Sequence, residues 1–143
     1  MYLISHRGNL DGPNPQFEND PLYLAVAISK GFKVEIDLWF KDKNYWLGHD
    51  KPQYKISMEW LKDNQEHLFI HCKNIKSLEK INSSNLHYFW HEEDNVTLTS
   101  KGFIWAHPKI KPPINSISVL PEKHSWDLGK CRGICSDYII KYR

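Results

Sequence analysis

The sequence predicts an α/β fold, a reduced barrel of parallel strands, and three observations predict it. In the first half, apolar strand-like runs alternate with short capped helical patterns, which is the signature of βαβ units. In the second half, strand-like runs recur with little room for helices between them. The chain has 143 residues, one domain's worth and far short of the ~250 that an eightfold βα barrel takes. The expectation is a single domain over residues 1–143. It is a TIM-type (β/α) barrel with several crossover helices missing and a β-hairpin after the second strand.

The elements follow in order. Tyr2–Ser5 is the first strand, ending at His6-Arg7-Gly8, and the Gly/Pro/Asn-rich segment Asn9–Asn19 is a loop. Asn19 or Asp20 caps a helix, Pro21 suits its first turn, and Leu22–Ile28 continue it to a stop at Gly31. Lys33–Leu38 is the second strand. Phe40 and Tyr45 are separated by four residues, whereas a parallel crossover needs a dozen or more. Tyr45–Gly48 therefore folds back as a hairpin, with Trp39 opposite Trp46 and His49 returning to the level of Ile36 and Asp37. Ser57 caps a short helix through Leu61. Leu68–Cys72 is the third core strand, and Asn74 caps a helix over Ile75–Ile81. His87–Trp90, Phe103–Ala106, Ser116–Leu120 and Gly133–Asp137 are further strands.

Composition narrows the function classes. Aromatic residues make up 13% of the chain, ample apolar surface for a packed core, which excludes disorder. The net charge is +2 and no basic run tracks a phosphate backbone, so a nucleic-acid partner is not expected. No apolar stretch approaches the ~20 residues of a membrane span. Met1–His6 reads as a strand rather than a leader, so the expected location is cytoplasmic. The three cysteines read as reduced thiols, because Cys131 and Cys135 lack the second pair that a zinc ribbon needs.

In a barrel of this kind the site lies at the C-terminal strand ends. Those ends carry His6-Arg7, Glu35 with Asp37, His71 with Lys73, His91-Glu92, His107, Glu122 and Asp137, and the hairpin adds His49-Asp50. Glu35 and Asp37 share one face of their strand. Pointing inward, two such carboxylates repel unless a cation sits between them or one stays protonated, and a hard divalent metal is the economical answer. His71 and Lys73 repeat the spacing on the next strand, offering a third ligand and an ammonium for phosphate. His6 and His49 suit an acid–base pair, and Arg7 offers a bidentate fork for phosphate oxygens. His67, His87 and His124 read as structural or surface residues.

The order of these motifs resembles a known family. His6-Arg7-Gly8, Phe17-Glu18-Asn19, the stretch Gly31–Asp37 (GFKVEID), Gly48-His49-Asp50 and Gly133–Tyr138 (GICSDY) resemble the glycerophosphodiester phosphodiesterases, related to phosphatidylinositol-specific phospholipases C. Order and spacing agree over Met1–Asp50, and the resemblance extends to Met58–Lys73 and Gly133–Tyr138. It implies a TIM barrel that hydrolyses phosphodiesters with a divalent cation, Mg²⁺ or Ca²⁺. Carried over, His6 and His49 are the acid–base pair, Glu35 and Asp37 are metal ligands, and Arg7 and Lys73 contact phosphate.

The departures from the family carry expectations of their own. His71 stands where the family has a third metal carboxylate, and imidazole in that place shifts preference toward Mn²⁺ or Zn²⁺. The connection Lys51–Ile70 is short, which implies an open mouth and a small-molecule substrate or a bulkier, polymeric phosphodiester. His91–Asp94 has no family counterpart and reads as a solvated acidic loop or a source of a further ligand. Exposed sheet edges leave room for a homo-oligomer. The alternative reading is a non-catalytic relative that binds a phosphorylated ligand or sugar. A structural zinc site at His71, His91 and His107 is the third.

Overall fold

Strand β1 (Tyr2–His6) lies at the centre of a mixed sheet of ten strands in the computed structural model, which describes residues 1–143. Helix α1 (Pro21–Ser29) leads to β2 (Lys33–Lys41), and β3 (Asn44–Leu47) and β4 (Tyr54–Ile56) follow as a meander. Next come α2 (Met58–Asp63), β5 (Leu68–Cys72), α3 (Ile75–Ile81) and β6 (Tyr88–Phe89). The second half holds β7 (Val96–Leu98), β8 (Ile104–Ala106), β9 (Ser116–Val119) and β10 (Gly133–Ser136), joined by turns. Parallel ladders run β6-β5-β2-β1-β10-β9-β8. No helix is long and apolar enough to cross a membrane.

The helix starts are set by side chains that satisfy otherwise orphaned N–H groups. Asp20 accepts from Leu22 N, Ser57 from Trp60 N and Asn74 from Ser77 N. Asn74 also accepts from Phe40 N and donates to Phe40 O, which ties α3 to the end of β2.

The sheet curls, and its two faces differ in chemistry. On the convex face Val34, Ile36, Leu38, Leu68 and Ile70 pack against Leu24, Ala27, Leu61 and Ile81 from the helices. On the concave face Ile4, Phe69, Phe89, Trp105, Ile117 and Cys135 form a second cluster. Two residues further along most of these strands the same face becomes titratable: His6, His71, His91, His107 and Asp137. Strand alternation thus puts a ring of polar side chains directly above an apolar plug.

The expectation of a ring of parallel strands is corrected in one place. β6 and β8 do not pair, and β7 runs antiparallel to β8 in the space between them. Leu98 and Ile104 are separated by five residues, too few for a parallel crossover, so a hairpin is the only connection. The seam is bridged without a ladder. Ser100 N donates to Tyr88 O, Ser100 Oγ to Leu86 O and Thr97 Oγ1 to Trp90 O. The architecture is therefore an α/β fold with a mixed sheet curled into an incomplete barrel.

β2 positions the site because it is long enough to change partners. Its first part pairs with β1 through Glu35 on one edge, while β5 follows the other edge as far as Leu38. The edge beyond β1 is then free, and β3 occupies it from Leu38 to Lys41. Trp39 pairs with Trp46, and Gly48 N donates to Asp37 O at 3.1 Å. The hairpin thus continues the sheet above β1 and delivers His49 to the strand ends.

Candidate functional site

A cleft of about 790 Å³ opens over the polar ring. His6, Arg7, Glu35, His49, His71 and Lys73, predicted for the site from sequence, all line it. Asp37, the seventh, lies beneath its floor and is fully buried.

Asp37 is held from several sides. Asn19 Nδ2 donates to Oδ2 at 2.9 Å, and Asp37 N donates to Asn19 Oδ1 at 2.9 Å. Arg7 Nε lies 2.9 Å from Oδ2, a charge contact without hydrogen-bond alignment. His71 Nδ1 lies 3.2 Å from Oδ1, and Lys73 Nζ 3.9 Å from the same oxygen. Burial alone would raise this carboxyl, but the His71 bond and the Arg7 charge outweigh it and hold the pKa below the usual range. Asp37 is thus ionised, and neutralised by its neighbours.

Glu35 is the opposite case. It is buried, its Oε2 has no hydrogen-bond partner, and the nearest cationic atom is His6 Nε2 at 3.9 Å. Burial and the Asp37 charge push its pKa up. A buried carboxylate oxygen without a partner is costly, so each such atom calls for an explanation. A bound cation supplies one. Glu35, Asp37 and His71 each offer a ligand atom, and these atoms lie within 4.8 Å of one another. Two carboxylate oxygens and an imidazole nitrogen suit Mn²⁺ or Zn²⁺ as well as harder ions. The residues therefore fit a divalent cation, with Glu35 as its natural anchor.

His6 sits at the level of Glu35 in the ladder between β1 and β2. Its Nδ1 lies 2.7 Å from Asp137 Oδ1, which orients the ring and turns Nε2 toward Glu35. Burial lowers the proton affinity of His6, yet the Asp137 bond and the Glu35 charge leave its pKa raised. Asp137 in turn accepts from Asn9 Nδ2 at 2.8 Å, and its own N–H donates to Glu122 Oε1 at 3.0 Å.

His49 stands at the rim with its side chain 43% exposed, and its Nδ1 lies 2.8 Å from Asp50 Oδ1. Partial burial and the Arg7 charge lower its pKa. Arg7 reaches the cleft because its backbone is left-handed at φ 55°, followed by Gly8 at φ 94°. Gly8 cannot be replaced freely, since a Cβ there would stand 2.6 Å from Tyr23 Cδ1.

The structure adds residues that the strand-by-strand reading left without roles. Asp137 orients His6, Asn19 fixes Asp37, and Asn9 and Arg7 share Glu18: Asn9 Nδ2 donates to Oε1 at 2.8 Å and Arg7 Nη1 to Oε2 at 3.4 Å. The signal for Glu18, Asn19 and Asp137 was their place in the Phe17-Glu18-Asn19 and Gly133–Tyr138 segments; Asn9 carried none. Of the expected structural histidines, His87 is buried against Thr99 Oγ1, and His124 is exposed. Cys72 and Cys135 are buried thiols, with burial pushing Cys72 up to about 12.

No family model, curated protein or solved structure matches this chain.

Proposed function

We propose that this protein is a metal-dependent phosphodiester hydrolase on a reduced (β/α) barrel, akin to the glycerophosphodiester phosphodiesterases its motifs resemble. One observation carries the reading. The unpartnered buried carboxylate oxygen of Glu35 faces a cleft that also holds two histidines, Arg7 and Lys73. That set matches the needs of phosphoryl transfer, which are charge neutralisation and two proton transfers.

When bound, a divalent cation at Glu35, Asp37 and His71 would neutralise charge on a phosphoryl oxygen. Arg7 uses Nε on Asp37 and Nη1 on Glu18, which leaves Nη2 for a second phosphoryl oxygen. Lys73 adds a point charge beside it. The two histidines divide the proton work because their surroundings push their pKa values apart. His49, lowered, is neutral near pH 7 and accepts the proton of the attacking water or substrate hydroxyl. His6, raised and oriented by Asp137, donates from Nε2 to the leaving alkoxide. The P–O bond to the leaving alcohol breaks as the new P–O bond forms, giving a free alcohol and either a monoester or a cyclic diester. The open mouth and the volume of about 790 Å³ favour a substrate larger than a minimal diester.

Hydrolysis of bis(4-nitrophenyl) phosphate tests this. Wild type should release nitrophenolate with Mn²⁺ or Mg²⁺ and lose that activity in chelator. His6→Ala and His49→Ala should each lose at least a hundredfold while keeping the wild-type circular dichroism. Activity that is indifferent to chelator and to both substitutions would refute the reading. A folded, metal-loaded protein that is inert but stabilised by phosphate esters would favour the phosphorylated-ligand-binding alternative.

A further inference from the structure

The wall of the cleft beyond His71 is built from the ends of β6 and β8 and the turn after β9, and the mechanism above uses none of its residues past His71. Its rings form a row. His71 stacks on His91 with centroids 4.8 Å apart, and His91 lies 5.1 Å from His107. Beyond them the 3₁₀ turn Pro121–Lys123 brings Lys123 to the same cleft.

Four side-chain nitrogens on this wall have no hydrogen-bond partner in the protein. His91 approaches Asp94 through Nδ1, at 3.4 Å, and its Nε2 bonds to nothing. His107 Nδ1 is buried without a partner, while its Nε2 is also unbonded but is not among the buried atoms, so it is open. The economical tautomer of His107 keeps the N–H on the open nitrogen. Lys123 forms no ion pair. The only carboxylate of this wall that lines the cleft is Glu92, exposed at the rim.

Unpartnered imidazole nitrogens can serve a cation or an anion, and the surrounding charge decides. Lys123 lines the same cleft as these rings, and its fixed ammonium, which cannot ligate a metal while protonated, disfavours a second cation beside it even with Asp94 behind His91. An oxyanion is the complement, and it takes N–H donors from His107 Nε2 and Lys123 Nζ, with the His91 ring, whose Nδ1 faces Asp94, as the wall behind them.

We propose that His107 and Lys123, against the His91 ring, form a second oxyanion subsite. The substrate is then a phosphodiester that carries a further phosphate group, about two ring-steps from the scissile phosphorus. This rests on the phosphodiesterase reading and names its substrate class.

Calorimetric titration with linear alkanediol bisphosphates of three to six carbons, each beside its monophosphate, tests the subsite with Mn²⁺ present. One spacer length should bind roughly ten- to a hundredfold more tightly than its monophosphate. Lys123→Gln combined with His107→Gln should erase that gain and leave monophosphate affinity unchanged. No gain at any length, or a gain that survives the double variant, would overturn the proposal. So would a gain that disappears in a metal-free control while Zn²⁺ alone binds at His91 and His107, which would make the wall a metal site. Absence of turnover with the bisphosphate gain intact would refute the phosphodiesterase reading and spare the subsite.

Discussion

Replacing Glu35 by Gln should move two properties of the protein in opposite directions. Glu35 is buried beside the ionised Asp37 with Oε2 unpartnered. A buried charged acceptor in that state costs roughly 1–3 kcal/mol. Gln keeps the shape and removes the charge, so Glu35→Gln should be more stable than wild type by about that amount in chelator. For a domain of this size 1 kcal/mol corresponds to about 3 °C in Tm, hence a rise of roughly 3–10 °C. The sign with pH follows from the raised pKa of Glu35. Its folded state binds the proton more tightly than the unfolded chain, so the wild-type penalty is absent in acid and grows as pH rises through the raised value. With metal the order reverses. Wild type should gain about 2.7 kcal/mol at a hundredfold excess over Kd, whereas the variant, lacking the anionic anchor, should gain almost nothing. Thermal denaturation by circular dichroism, in chelator and across a Mn²⁺ series, reads both effects. A variant that is less stable in chelator and equally stabilised by Mn²⁺ would refute the assignment of Glu35 as an unpaired ligand.

Other perturbations test the supporting residues. Asp137→Asn removes one of the two partners, with Glu35, that together outweigh burial at His6, so the His6 pKa should fall. Imidazole proton NMR would read that fall, and turnover should drop by roughly ten- to a thousandfold with the pH–rate limb moved to lower pH. Asn19→Ala deletes both hydrogen bonds to the buried Asp37 and should cost about 2–4 kcal/mol in urea denaturation; a loss under 1 kcal/mol would mean water replaces Asn19 without penalty. His87 lies outside the site, in the bottom layer of the sheet, where burial pushes it down to about 4. The unfolded chain binds its proton first, so stability should be full above pH 6.5 and fall by roughly 3 kcal/mol between there and pH 4. A neutral replacement such as His87→Gln should flatten that slope.

Local chemistry made much of the fold legible in the sequence. The three caps, Asp20, Ser57 and Asn74, start the three helices. The four residues between Phe40 and Tyr45 dictate the hairpin and its Trp39–Trp46 register. Two short strands escaped. Tyr54–Ile56 follows a turn-rich segment, and Val96–Leu98 has the right alternation but is three residues long. Both exist because a neighbour supplies the ladder, which no local pattern records.

The site divides in the same way. Glu35 with Asp37, and His71 with Lys73, could be placed on one face because strand periodicity is local. The difference between the carboxylates could not. Asp37 is satisfied by Asn19 and Arg7 while Glu35 is left unpaired, and that depends on how a loop returns to the sheet. The His6–Asp137 pair spans 131 positions of sequence and appears only when β1 and β10 lie side by side. The His91–His107 row likewise needs the seam between β6 and β8.

The most direct test of a metal-dependent phosphodiesterase is phosphorus NMR on glycerophosphodiesters, cyclic phosphates and sugar-phosphate diesters. Each is incubated with Mg²⁺, Ca²⁺, Mn²⁺, Zn²⁺ or chelator, beside the His6→Ala variant. The account predicts a product resonance in at least one metal series, absent in chelator and absent in the variant. Product formed equally by His6→Ala, or no conversion of any diester by folded and metal-loaded protein, would contradict it.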